Sequence, residues 1–311
     1  MAPKPIILDC DPGHDDALAM LLAYANPALD LRAITTVAGN QTLAKVTDNA
    51  RRVATLAGIT DVPIAAGADR PLVRDLVVAQ DVHGETGLDG AELPSARVEL
   101  DAASATDLMA RVIAEADRPV TLVPTGPLTN IARLLREHPE AADGVAEIIW
   151  MGGSTARGNI TPYAEFNAFV DPEAAAQVFA SGLPVTMIGL NVTHQALATD
   201  EVIARIRSIG SGVAATIADL LSFFAATYER IWDLPAPPVH DAVAVARAID
   251  PVLVECAHAP ISVEANGEFT RGATVVDLHA RTGRPPNAHA GTALDVERFW
   301  DLMVDALATY R

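Results

Sequence analysis

The sequence predicts an α/β fold: an open, mostly parallel central sheet flanked by helices, built as one domain over residues 1–311. Three observations carry this reading. Short, β-branched apolar runs alternate with helix-forming stretches, the pattern of repeated βα units. Polar and acidic residues gather just after several of those runs, at the strand ends where open α/β sheets bind ligands. Of the 311 residues, 50% are hydrophobic, enough for a large core, and no repeat, linker or low-complexity segment divides them.

The first βα unit organises the others. Ile6-Ile7-Leu8 reads as a buried strand, Pro12-Gly13 as a tight turn, and Ala17 to Leu22 as a helix. Between strand and helix stand Asp9, Asp11, Asp15 and Asp16. Alternation along a strand turns Asp9 and Asp11 the same way and sends Cys10 to the opposite face, as core. Asp15 and Asp16 fall in the first helical turn, where free N–H groups and the helix dipole favour negative charge. That dipole does not carry four acids alone. Two carboxylates about 5 Å apart repel by roughly 3 kcal/mol at an effective dielectric of about 20. A divalent cation removes the repulsion, and all-oxygen ligands select a hard ion, Ca²⁺ or Mg²⁺, over Zn²⁺. The plain alternative is a solvated acidic turn with an N-cap. Against it, the cluster interrupts an apolar run instead of sitting in a polar loop.

DCDPGHDDALA resembles the amino-terminal D-x-D-x-x-x-D-D signature of the nucleoside hydrolases, the inosine/uridine-preferring nucleoside N-ribohydrolases. The likeness runs through nearly the whole chain and implies a Rossmann-like core. Phosphatases of the haloacid-dehalogenase type also end a first strand in D-x-D, so the later segments decide.

Those segments follow in order. Leu31–Val37 reads as a strand ending at Ala38-Gly39-Asn40, and Thr42–Leu56 as a helix. An Asn after Gly is an ordinary turn residue; the resemblance places Asn40 at the pocket floor. Val62–Ala65 is a short strand. Residues 70–94 lack periodicity and hold His83-Gly84-Glu85-Thr86-Gly87, and a long loop in a compact domain is often a lid. The family has a mobile loop with a similar run, so His83 is either an exposed loop residue or a contact for the base or the ribose hydroxymethyl end. Ala103–Ala116 reads as a helix and Val120–Pro124 as a strand. Thr125 ends that strand, so its carbonyl can face a ligand, and the family donates this carbonyl to calcium. Thr129 and Asn130 read as helix caps.

Glu147–Met151 is the next strand. In MGG…GN…AEFN the resemblance covers Asn159, Glu165 and Asn167, whose amides and carboxylate suit sugar hydroxyls. Met151 and Phe166 either pack near the ribose or belong to the core. Asp171 caps a helix running to Ser181, with Pro172 at its first position. Pro184–Gly189 is a strand, and His194 after it reads as structural. Helices over Thr199–Ser208 and Val213–Trp232 stop at a Pro-rich run before His240-Asp241, which opens the helix Val243–Ile249. A bare His-Asp pair is weak on its own. The family carries one here, with the Asp on calcium and the His against the leaving base, although Ala242-Val243 replaces the usual Pro-Cys. Tyr228 and Trp232 are rival candidates to line the base site. Residues 258–284 read as edge strands and turns, and Asp295–Tyr310 as a closing helix.

The resemblance thus implies Ca²⁺-dependent hydrolysis of the N-glycosidic bond of purine or pyrimidine ribonucleosides, in salvage or catabolism. Asp11, Asp16, the Thr125 carbonyl and Asp241 hold Ca²⁺, and Asp11 is the base. Asp15 and Asn167 take ribose hydroxyls, Asn159 and Glu165 the C5 hydroxyl end, and His240 is the acid. Asp9 orients the ligands from behind. It also implies a homodimer or homotetramer. A pyrimidine-restricted hydrolase, a non-catalytic nucleoside binder, and a phosphatase with Asp9 as nucleophile are the alternatives.

Composition agrees with a small-molecule substrate. With 22 basic and 40 acidic residues the net charge is −18, which repels nucleic acid and anionic membrane. Two cysteines make no disulfide framework. No signal peptide is expected and no apolar run approaches the ~18 residues of a membrane span, so a soluble cytoplasmic protein is expected.

Overall fold

The computed structural model describes residues 2–311. Eight strands share one sheet: β1 (Lys4–Cys10), β2 (Leu29–Thr36), β3 (Ile64–Ala66), β4 (Val120–Pro124), β5 (Val145–Met151), β6 (Val185–Ile188), β7 (Val254–Ala259) and, further on, β10 (Ala288–Leu294). The strands β8 (Ile261–Val263) and β9 (Thr274–Val276) between them form a separate antiparallel pair. The sheet order is β3-β2-β1-β4-β5-β6-β10-β7, and every neighbouring pair is parallel except β10 with β7. The chain moves outward from β1 in one direction and then outward from β4 in the other. The crevice therefore opens between the carboxyl ends of β1 and β4.

Helices cover both faces, which is why the strands read as unbroken apolar runs. Ile6, Leu8 and Cys10 point into one core with the helices His14–Ala25, Asp241–Ile249 and Val296–Ala308. Ile7 points into the other, with Leu122, Ile148 and Trp150 and the helices Ala105–Glu115, Thr129–Glu137 and Pro172–Phe179. The helix His14–Ala25 is buried over ten consecutive residues from His14 to Ala23, and its run of Ala, Leu and Met is apolar all round, as a core helix must be. No helix among the described residues is long and apolar enough to cross a membrane.

Most expected elements are present with ends shifted by a residue or two. Asp171 caps Pro172–Phe179 as expected, accepting from the Ala174 N–H at 3.0 Å. One expectation fails. Asn130 and Thr129 are not caps, because the helix starts at Thr129 behind Leu128 and both side chains point inward to Asp9 and Asp171. Residues 258–284 hold the end of the edge strand β7, the β8–β9 pair and turns, and beyond them lies a strand that no expectation covered. β10, AHAGTAL, is too rich in Ala and Gly to carry a β-branched signal. It lies inside the sheet, where a Cβ at Gly291 would stand 3.0 Å from Val192.

Candidate active site

The acids sit where the topology opens. Thr125 N–H donates to the Asp9 carbonyl at 2.8 Å, tying the start of the β4 loop to the end of β1. Asp11 follows β1 directly. Its Oδ2 accepts the Asn40 N–H at 2.6 Å, while its Oδ1 is buried with no hydrogen-bond partner among the described residues. Asp16 Oδ1 accepts from Thr125 Oγ1 at 2.8 Å and from the Asp11 N–H at 3.3 Å. Its Oδ2 accepts from the Gly13 N–H at 2.9 Å and from Asn40 Nδ2 at 3.3 Å. Asp15 Oδ2 takes the His240 N–H at 3.2 Å. Carboxylate oxygens of Asp15, Asp16 and Asp241 come within 4.8 Å of one another. Asp11 stands beside this trio.

The electrostatics are those of an ion site. Burial pushes Asp15 up to about 7, with Asp16 adding to it, and burial raises Asp16 as well. Burial and then the neighbouring acids lift Asp11 and Asp241 well above the carboxylate range. No Lys or Arg forms a salt bridge with any of them among the described residues. A donor set made only of oxygens, with an orphaned buried oxygen on Asp11, fits a hard divalent cation.

Asp9 lies one layer below. Its Oδ1 accepts from Thr35 Oγ1 at 2.7 Å and from Asn130 Nδ2 at 2.8 Å, and burial pushes it up to about 7. Asn130 spends its remaining groups on the Thr36 carbonyl at 3.0 Å and the Ala68 N–H at 2.9 Å. Two glycines pack against Asp11 from outside. A Cβ on Gly39 would stand 2.1 Å from its Oδ2 and one on Gly126 2.7 Å from its Oδ1. Neither role had a sequence signal beyond a glycine in a loop.

Above the acids is a cavity of about 230 Å³. Asp15, Asn40, His83, Thr125, Met151, Asn159, Glu165, Phe166, Asn167, His240 and Asp241 all line it, together with Tyr228 and Trp232. Asn167 Nδ2 donates to the Thr125 carbonyl at 2.8 Å and to the Met151 carbonyl at 3.1 Å, leaving its own oxygen to the cavity. The Thr125 carbonyl keeps one lone pair. Glu165 caps the helix Phe166–Val170 and accepts the N–H groups of Asn167, Gly153 and Ala168 at 2.8, 2.8 and 3.1 Å. Burial still pushes it up to about 7. Asn159 Oδ1 takes the Phe166 N–H at 2.9 Å, so its amide hydrogens are spare.

The other end is aromatic. Tyr228 Oη is 3.0 Å from His240 Nε2, and Thr193 Oγ1 is 2.7 Å from His240 Nδ1. Trp232 rests on Tyr228 with ring centroids 4.5 Å apart, so both rivals for the base wall are present. His194, read as structural, does not line this cavity and lies tilted 5.6 Å from His240. The expected loop is irregular over 70–94 apart from Gln80–His83, yet it is pinned. Gln41 Nε2 donates to the Gly84 and Glu85 carbonyls at 3.1 Å, and Asn49 Nδ2 to the Thr86 carbonyl at 2.9 Å. His83 is buried against His14, Nδ1 to Nδ1 at 3.1 Å, rather than exposed.

A family model described as inosine-uridine preferring nucleoside hydrolase matches residues 6–301. The chain belongs to this family. It is an enzyme that hydrolyses N-glycosidic bonds of nucleosides. The pyrimidine-specific ribonucleoside hydrolase RihA of Shewanella sp. (strain ANA-3) is 51% identical over 309 residues, covering 99% of this chain and 97% of that one. The protein of the same name from Enterobacter sp. (strain 638) is 49% identical over 307 residues, covering 98% of each. Among solved structures, a purine-preferring ribonucleoside hydrolase from Gardnerella vaginalis superposes with a TM-score of 0.92 at 32% identity, covering 99% of both chains. The family is one of metal-dependent hydrolases with nucleoside substrates, and the acid cluster could hold a metal.

Proposed function

We propose that this enzyme cleaves pyrimidine ribonucleosides to ribose and free base and that its cation is Ca²⁺. The observation that carries the reading is the convergence of Asp15, Asp16 and Asp241 beneath a cavity with amides at one end and aromatic rings at the other. The pyrimidine preference is supported by relatives of about half identity that carry that specificity in their names.

Asp11, Asp16, Asp241 and the Thr125 carbonyl would hold the ion, with Asp15 at its edge. When bound, the ion supplies fixed positive charge for the two ribose hydroxyls and for water. Asp11 Oδ1 has no hydrogen-bond partner among the described residues and takes the proton of the attacking water, whose oxygen bonds to C1′. Asn40 holds the other Asp11 oxygen still. Asp15 and the free oxygen of Asn167 orient the ribose, and Asn159 and Glu165 grip its C5 hydroxyl end. The C1′–N electron pair leaves with the base, which meets the His240–Tyr228 pair as it becomes negative. Asp9 fixes its neighbours from behind with Asn130.

A phosphatase would want a lysine in the site. Lys4 pairs with Glu147 and Lys45 with the Glu85 carbonyl, and neither lines the cavity. The test is a reducing-sugar assay over uridine, cytidine, inosine, adenosine and guanosine, with calcium and with a chelator. Ribose release from uridine and cytidine, lost on chelation, is expected. Faster release from inosine would reverse the specificity, and nucleoside binding without release would leave only a binder.

A further inference from the structure

His240 is held at both ring nitrogens, by Thr193 at 2.7 Å and by Tyr228 at 3.0 Å. All three side chains are buried, Thr193 fully. Each contact can run either way, and the fate of the hydroxyl hydrogens decides between them. Among the described residues Thr193 Oγ1 has no hydrogen-bond partner except His240. If Nδ1 donated to it, the Thr193 hydrogen would be sealed in the core without an acceptor, at a cost of about 1–3 kcal/mol. If Thr193 donates to Nδ1 instead, a neutral His240 carries its hydrogen on Nε2 and gives it to Tyr228 Oη. The phenol hydrogen is then left over, and Tyr228 lines the cavity.

We propose that Thr193 is a positioning residue that fixes the Nε2–H form of His240 and thereby turns the Tyr228 hydroxyl hydrogen toward the departing base. The inference rests on the proposed ribohydrolase reading and deepens it. The group that touches the base is Tyr228, and His240 strengthens it by donating to its oxygen. No proton need change hands within the trio. A phenol hydrogen bond to a base oxygen or nitrogen grows stronger as charge builds there.

The surroundings hold the trio in place. Thr193 ends the short helix Leu190–Thr193, its N–H donating to the Gly189 carbonyl at 3.1 Å, and its branched side chain has a stiff χ1. Val239 N–H donates to the Ala196 carbonyl at 2.9 Å, and the His240 N–H to Asp15, so both sides of the contact are fastened.

Two measurements test this. Nitrogen NMR of the ¹⁵N-histidine-labelled protein, with His240→Gln to assign the signal, reads the ring directly. Protonated Nε2 and bare Nδ1 are expected, and protonated Nδ1 in the neutral ring overturns the proposal. In kinetics, Thr193→Val keeps the shape and removes the hydroxyl. The expected loss of kcat on uridine is on the order of 10- to 100-fold, the size seen when a supporting hydrogen bond is lost. KM should hold, p-nitrophenyl riboside, whose leaving group needs no help, should be nearly unaffected, and Thr193→Ser should restore the rate. Equal loss on both substrates means Thr193 serves only the fold. If Thr193→Val does not fold, the wild-type spectrum still decides. If the enzyme releases no ribose from any nucleoside, the ribohydrolase reading fails, while the spectrum still settles the ring hydrogen on its own.

Discussion

The main-chain N–H of His240 donates to Asp15 Oδ2 at 3.2 Å, across 225 residues of sequence. Main-chain groups likewise reach Asp11 from Asn40 and Asp16 from Gly13. The carboxylates are thus aimed largely by backbone donors that side-chain mutation does not remove, so the site is preformed wherever the sheet is.

Metal-free protein is expected to lose stability as pH rises from about 4 to about 7. Burial pushes Asp9, Asp15 and Glu165 up to about 7 in the folded chain, far above the ordinary carboxylate range. Between the two values the folded state keeps protons that the unfolded state has released, so stability falls with rising pH and is lowest above the folded values. Thermal melts in chelator should show this slope, and calcium should raise Tm most at the alkaline end. A melting temperature that climbs with pH in chelator would contradict the account.

Asp11→Ala is expected to abolish turnover while the fold survives. Losing the proposed base should cost about 10²–10⁴ in kcat, and far-ultraviolet circular dichroism should match the parent. Retained turnover would move the base elsewhere.

Gly39→Ala probes the same carboxylate without touching it chemically. Its new Cβ would overlap Asp11 Oδ2 at 2.1 Å and Pro127 Cδ at 2.8 Å. Calcium affinity, followed by titration, should drop on the order of 10- to 100-fold, as when a ligand's supporting geometry is lost. Gly212→Ala, in open space at a helix start, is the control and should bind calcium normally.

Asn130→Leu should destabilise the protein by about 2–4 kcal/mol, because buried groups of Asp9, Ala68 and Thr36 lose their partner together. Denaturant melts read this loss. Wild-type stability would return Asn130 to the helix-cap role that sequence alone assigns it.

His240→Ala should slow uridine far more than p-nitrophenyl riboside, in steady-state assays run side by side. Equal slowing would remove His240 and its partners from leaving-group assistance.

The parallel strands and the acid motif were legible because each depends on local pattern. Burial on both faces forces β1 to be apolar, and four acids after such a strand have few bland explanations. Asn159, Glu165 and Asn167 stood out only together, through the resemblance of their segment to the family's MGG…GN…AEFN run. What stayed hidden depends on contacts across the chain. Asn130 looks like any helix-start amide until its partner Asp9 is seen 121 residues away. Thr193 gives no local hint of His240, and β10 is built of residues whose small size matters only between its neighbours. Gly39 and Gly126 matter through space they leave empty.

The order in which these acids are made has a consequence for synthesis. A ribosome releases Asp9, Asp11, Asp15 and Asp16 first and Asp241 much later, yet Asp241 belongs with them. Until that segment emerges, the nascent chain holds an incomplete acid cluster and the helix His14–Ala25 lacks the helix Asp241–Ile249 that packs against it. Hydrolysis is therefore a property of the nearly finished polypeptide, and early termination products are expected to be inert rather than partly active.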